Sequence, residues 1–120
     1  MFSSKAVIIG NNIEEFVPAL GKVLKKEHLD FYSYEGEEIK VFIVESYFFR
    51  VNSNLVTLLI LGAIDHGRCE MGIVSGGGAD GLLMMDLGAE RRATLNMRKL
   101  VEKKCAEYGL LIEFQENGEK

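Results

Sequence analysis

The sequence is short of the residues that build metal centres and disulfide frameworks. It has two cysteines, Cys69 and Cys105, and two histidines, His28 and His66, with no paired-cysteine motif in its 120 residues. A zinc site needs several N or S ligands at short spacings, and a disulfide scaffold needs cysteines in quantity. Neither is expected, and no cofactor is expected with them. No Gly-Lys-Ser or Gly-Lys-Thr occurs, which excludes a phosphate-binding P-loop. The longest apolar stretch, 55–64, is about half a membrane span. The run after Lys5 is too short for the core of a signal peptide. These absences predict a cytoplasmic protein with no membrane segment. Basic residues are also in deficit, 14 against 18 acidic, and a net charge of −4 argues against general affinity for nucleic acid.

What is present is apolar. Apolar residues make up 48% of the chain and charged residues 27%, enough for one core at a length too short for two. The reading is a single α+β domain over 1–114 and a polar tail, 115–120, that frays.

A β-branched run at 5–9 reads as a first strand. Ile13, Phe16, Leu20, Val23 and Leu24 then recur at three- and four-residue spacing, the stripe of an amphipathic helix. Asn12 is placed to cap that helix, with Glu15 as reciprocal partner. Pro18 predicts a kink or a helix start close to it. Strands are expected at 31–34, 39–49, 55–64, 68–74, 82–87 and 110–114. The turn residues Asn52, Ser53 and Asn54 join 41–49 and 55–64 as a hairpin. A second helix spans 89–108 and stops at Gly109, which suits a left-handed cap. Hairpins this short require antiparallel neighbours. The predicted fold is a two-layer α+β sandwich: a mainly antiparallel sheet of five to seven strands with two helices on one face.

A sheet covered on one side should alternate apolar and polar residues. The strand 55–64 does not. Leu55, Leu59 and Leu61 lie on one face, and Val56, Leu58 and Ile60 on the other. The strand 41–49 behaves alike, with Phe42, Val44 and Phe48 opposed to Val41, Ile43 and Phe49. Two helices cannot cover both faces, so the second face is expected to bury itself in a homodimer.

The candidate ligand site is the glycine-rich stretch 75–81, with Ser75, Gly76, Gly77, Gly78 and Asp80. Four glycines fall within 76–81, and glycine alone visits positive φ freely. The stretch matches G-x-G-x-x-G in form, but it comes late and lacks the downstream acid of a dinucleotide site. It is a structural corner or a nest of N–H groups for a small anionic ligand. Glu45, Tyr47 and Arg50 lie near the end of one strand, and Glu90 near the start of the second helix. Pairing of Glu45 or Glu90 with Arg50 is the structural expectation, and no catalytic residue is assigned. Residues 89–108 carry six Lys/Arg and three Glu. Arg92, Lys99 and Lys103 form a basic stripe opposite Ala93, Met97, Val101 and Cys105.

The segments Glu45–Ser46–Tyr47–Phe48–Phe49–Arg50, Asn52–Ser53–Asn54–Leu55, Ser75–Gly76–Gly77–Gly78 and Gly88–Ala89–Glu90 together resemble an uncharacterised family of small bacterial proteins. That family, a domain of unknown function, has a Glu-x-Tyr-x-x-Arg strand, a Ser-Gly-Gly-Gly loop and a Gly-Ala-Glu helix start. Its members often carry an aromatic residue where this chain has Leu87. The resemblance spans 45–108 and implies no activity. It implies that strand end, glycine loop and helix start form one spatial unit. The functional expectation is a small, non-catalytic binding or assembly module that self-associates. The alternative is a small anion-binding protein or enzyme using 75–81.

Overall fold

The computed structural model describes residues 2–28, 30–48, 53–77 and 83–115. Strand β1 (Phe2–Ile9) leads into helix α1 (Ile13–Glu27). Strands β2 (Asp30–Gly36), β3 (Ile39–Phe48), β4 (Ser53–Gly62) and β5 (Arg68–Gly77) follow, then helix α2 (Leu83–Glu107) and strand β6 (Leu111–Phe114). The strands form one sheet in the order β2-β3-β4-β5-β1-β6. All neighbours are antiparallel. Strands β2 to β5 meander back and forth, and β1 lies between β5 and β6. This is the expected two-layer α+β sandwich. No helix of the described residues is long and apolar enough to cross a membrane.

Successive strand side chains point to opposite faces, and burial follows that rule. Phe42, Val44, Leu59, Leu61, Cys69, Met71, Ile73, Ala6 and Ile8 are buried in one cluster. Ile13, Phe16, Leu20 and Leu24 of α1 join it, as do Met97, Val101 and Cys105 of α2. Helix α1 packs over β2 and β3, and α2 over β5, β1, β4 and β6. Both helices therefore lie on one face. Gly21 lets α1 approach the sheet closely, because a Cβ there would stand 2.8 Å from Phe42 Cε1. Phe31 stacks on the same Phe42 ring at 5.9 Å between centroids.

Three local expectations change. Asn12 makes no side-chain cap to its own helix. Its Nδ2 instead donates to the carbonyl of Tyr108 at 3.0 Å, one of the C-terminal acceptors of α2 left without a helical partner. Helix α1 begins at Ile13, a turn before Pro18, and continues through it. The expected strand at 82–87 is replaced by helix, since α2 starts at Leu83 and carries Gly88 within it. A short apolar run cannot distinguish strand from helix by periodicity. One glycine costs a helix only about 1 kcal/mol, which a helix this long absorbs. Gly109 does hold positive φ, +68°, past the end of α2. The turn at 49–52 lies outside the described residues.

The second face has no covering element among the described residues. Tyr32, Tyr34, Val56, Ile9 and Leu111 are exposed at 61, 56, 37, 42 and 70%. Val41, Ile43, Leu58, Ile60 and Val74 between them are half-buried. The two-faced apolar character read from 41–49 and 55–64 is thus present in β3 and β4.

Replacing Gly21 by Val is expected to destabilise the fold by about 1–3 kcal/mol, the usual cost of overpacking a filled core. Urea unfolding measures this. A Gly21→Val protein as stable as the parent would show that α1 can lift off Phe42 freely.

Candidate functional site

The buried polar residues among those described, Thr57, Ser75, Glu90 and Thr94, gather at one place under α2. Ser75 of β5 and Thr57 of β4 are register partners, and Thr94 of α2 packs over them. All three are buried, with at most 2% exposure. Thr94 Oγ1 donates to Ser75 Oγ at 2.9 Å, and Ser75 Oγ and Thr57 Oγ1 share a hydrogen bond at 3.1 Å. Glu90, one helical turn before Thr94, is buried at 6% exposure. The hydroxyls compensate one another for lost hydration, as buried polar groups must. Thr57 is also on the floor of a cleft of about 440 Å³ between the end of α1 and α2. Glu27, His28, Ser46 and Asn96 line its polar side, and Val44, Met97 and Leu100 its apolar side. His28 Nδ1 lies 3.0 Å from the Leu24 carbonyl. That geometry requires Nδ1 to carry the proton. The cleft offers hydroxyl, amide and imidazole hydrogen-bonding groups beside the Glu27 carboxyl group. No group of three or more His, Cys, Asp or Glu positioned for a metal occurs among the described residues.

Glu45 stands on the other side of the sheet. Its register partner is Val56, and Val56 pairs with Gly76. Glu45 therefore lies beside the row that holds Ser75 but faces the opposite way. Its cross-strand neighbour is Asp30. A hydrogen bond that the protonated Glu45 carboxyl donates to Asp30, then desolvation and the like charge, raise the Glu45 pKa above 4.5, and a bond with Asn54 opposes them. This is an acidic corner on the open face rather than an acid–base pair with Glu90. Tyr47 sits at the described end of β3, while Arg50, Gly78 and Asp80 lie outside the described residues. The expected pairing of Glu45 or Glu90 with Arg50 falls outside them too.

Gly76 and Gly77 end β5 rather than forming a free loop. Gly77 holds φ +95°, so a positive-φ glycine does occur in the run. Sequence reasoning found Ser75 but missed Thr57, Thr94 and Asn96. Thr57 was legible as a polar residue between Leu55 and Leu59 on the inward side of β4. Arg92, Lys99 and Lys103 are exposed, while Ala93, Met97, Val101 and Cys105 are buried, as the helix pattern predicts. Arg98, on the same helix, lies over the Phe114 ring at 3.8 Å. Cys69 and Cys105 are free and buried. Burial pushes their thiols up to about 11 and about 12, so both remain protonated and poorly nucleophilic at neutral pH.

Replacing Ser75 by Ala strands the Thr94 and Thr57 hydroxyls. A loss of about 1–3 kcal/mol is expected, the cost of an unsatisfied buried group. In a Thr57→Val, Thr94→Val background the same change should cost far less. Equal costs in the two backgrounds would show that the hydroxyls are not coupled.

The acidic corner carries a pH signature. Glu45 holds its proton more tightly in the folded state, so its contribution to stability declines as pH rises through the carboxylate range above 4.5. Glu45→Gln should flatten that part of the stability profile in urea titrations. An unchanged profile would remove Asp30–Glu45 repulsion from the account.

No family model matches the chain, and no curated protein matches it significantly.

Proposed function

We propose that this chain is a small, non-catalytic assembly module that self-associates through the open face of its sheet. The apolar character of that face carries the reading. Contiguous exposed apolar patches beyond a few hundred Å² are rare on monomers and mark interaction surfaces. The open face as a whole, with Lys5, Asp30, Glu45 and Glu70 around its apolar middle, spans roughly 600–750 Å² at about 4.8 Å between strands and about 3.3 Å per residue. A stable interface of standard size takes about 800 Å² from each partner, so this face is of the right order. The free thiols of Cys69 and Cys105 accord with a reducing compartment, and a cytoplasmic location is part of the proposal. The resemblance to an uncharacterised bacterial family supplies no activity to set against this reading.

The anion-binding alternative draws less support. Ser75 has its hydroxyl committed to Thr94 and Thr57 inside the core, and Glu45 faces away from it.

Light scattering at micromolar concentration should report a dimer. Ile43→Glu, which places a charge in the middle of the open face, should shift it to monomer. Changing Arg92, Lys99 and Lys103 together to Gln should leave the dimer intact, because exposed charges contribute little. A monomeric parent protein would overturn the proposal. Association lost in the triple variant would move the interface to α2.

A further inference from the structure

The open face is divided into two unlike halves, and the division fixes how a second copy can sit on it. On the β2–β3 side the face is bulky and acidic, with Tyr32, Tyr34, Val41 and Ile43 projecting and Asp30 and Glu45 at the corner. On the β5–β1 side it is hollow. Gly72 and Gly76 contribute no side chain, and nothing lies within 4 Å of where a Gly72 Cβ would be. A depression of about 380 Å³ lies there, floored by Gly72, Gly62 and Ile60 and rimmed by the charged Lys5, Arg68 and Glu70. Strand β4 runs between the halves.

One row of the sheet reads Tyr34, Val41, Ile60, Gly72, Lys5 across β2, β3, β4, β5 and β1. A twofold axis along β4 turns this row onto itself in reverse. Ile60 then meets Ile60, Val41 meets Gly72, and Tyr34 meets Lys5. In the next row, Tyr32, Ile43, Leu58, Val74, Ser3, the same axis sets Leu58 against Leu58, Ile43 against Val74, and Tyr32 against the small Ser3. Large meets small where Val41 faces Gly72 and Tyr32 faces Ser3, and two branched side chains meet where Ile43 faces Val74. An aromatic face meets an ammonium where Tyr34 faces Lys5, a favourable contact. Isologous interfaces require this self-complementarity. Packed sheets keep their strand directions within about 30° of each other, so an axis close to β4 is allowed.

The geometry points to a homodimer of face-to-face sheets related by a twofold axis along β4, with Tyr34 of each copy over the Gly72–Lys5 depression of the other. This inference rests on the self-association reading and adds its arrangement. An edge-to-edge dimer through β2, by contrast, would bring Tyr32 and Tyr34 beside their own equivalents and leave the depression empty.

Cross-linking with a short bismaleimide distinguishes these cases. The probes are Val56→Cys, on the axis, and Tyr34→Cys and Lys5→Cys, off it. All three positions are exposed, so the fold tolerates them, and the buried native thiols provide an unreactive background in the parent protein. Val56→Cys alone should give a cross-linked dimer. Tyr34→Cys and Lys5→Cys should each stay uncross-linked alone and give dimer when mixed. Tyr34→Cys linking to itself would overturn the inference in favour of the edge arrangement. A dimer by light scattering with none of the expected links would overturn the axis while leaving self-association standing. A monomer by light scattering would overturn both.

Discussion

Everything in this molecule follows from β3 and β4 being apolar on both faces while the chain supplies helices for one. Phe42, Val44, Leu59 and Leu61 are sealed under α1 and α2. Val41, Ile43, Leu58 and Ile60, their alternates, remain half-exposed behind them. Each alternate offers some of the roughly 25 cal/mol per Å² available on removal from water, and that free energy is unspent within a single copy. The fold therefore buries the apolar residues of one sheet face and leaves those of the other partly in water.

The covered side is built with little slack. Gly21 against Phe42 sets the spacing of α1 from the sheet. Asn12 bonded to Tyr108, and the edge contact of Phe16 with Tyr108 at 6.3 Å, bind the start of one helix to the end of the other. The polar exception, Ser75 with Thr57 and Thr94, lies where α2 crosses β4 and β5. Hydroxyls there fix the helix laterally in a way that apolar contacts, which are non-directional, do not.

Much of the fold was legible because it depends on local periodicity. Cys69, Met71 and Ile73 alternate inward along β5, and Ile13, Phe16, Leu20 and Leu24 stripe α1, as their spacing requires. What escaped depends on residues distant in sequence. Asn12 looked like a cap because its own helix offers N–H groups, yet its partner is 96 positions away. Leu83 to Leu87 read as strand because a short apolar run carries no period of its own. The candidate site was legible by residue and not by face. Glu45 and Ser75 fall at neighbouring registers of the sheet, and a one-residue difference in pleat sends them to opposite sides. The hydroxyl cluster needed the crossing angle of α2, which no strand pattern contains.

The place of β1 has a consequence for how the chain acquires its shape. Phe2 pairs with Ser75, and Ile9 with both Arg68 and Leu111, so β1 is locked in only by strands that lie far along the chain from it. Strands β2 to β5 meet their neighbours through short connections and can zip as a local meander. Strand β1 must wait for β5 before it has a ladder on one side, and for β6 before it has one on the other. Closing such long loops is entropically costly and slow. Strand β1, with Ala6 and Ile8 in the core, therefore has no ladder partner until β5 has been made.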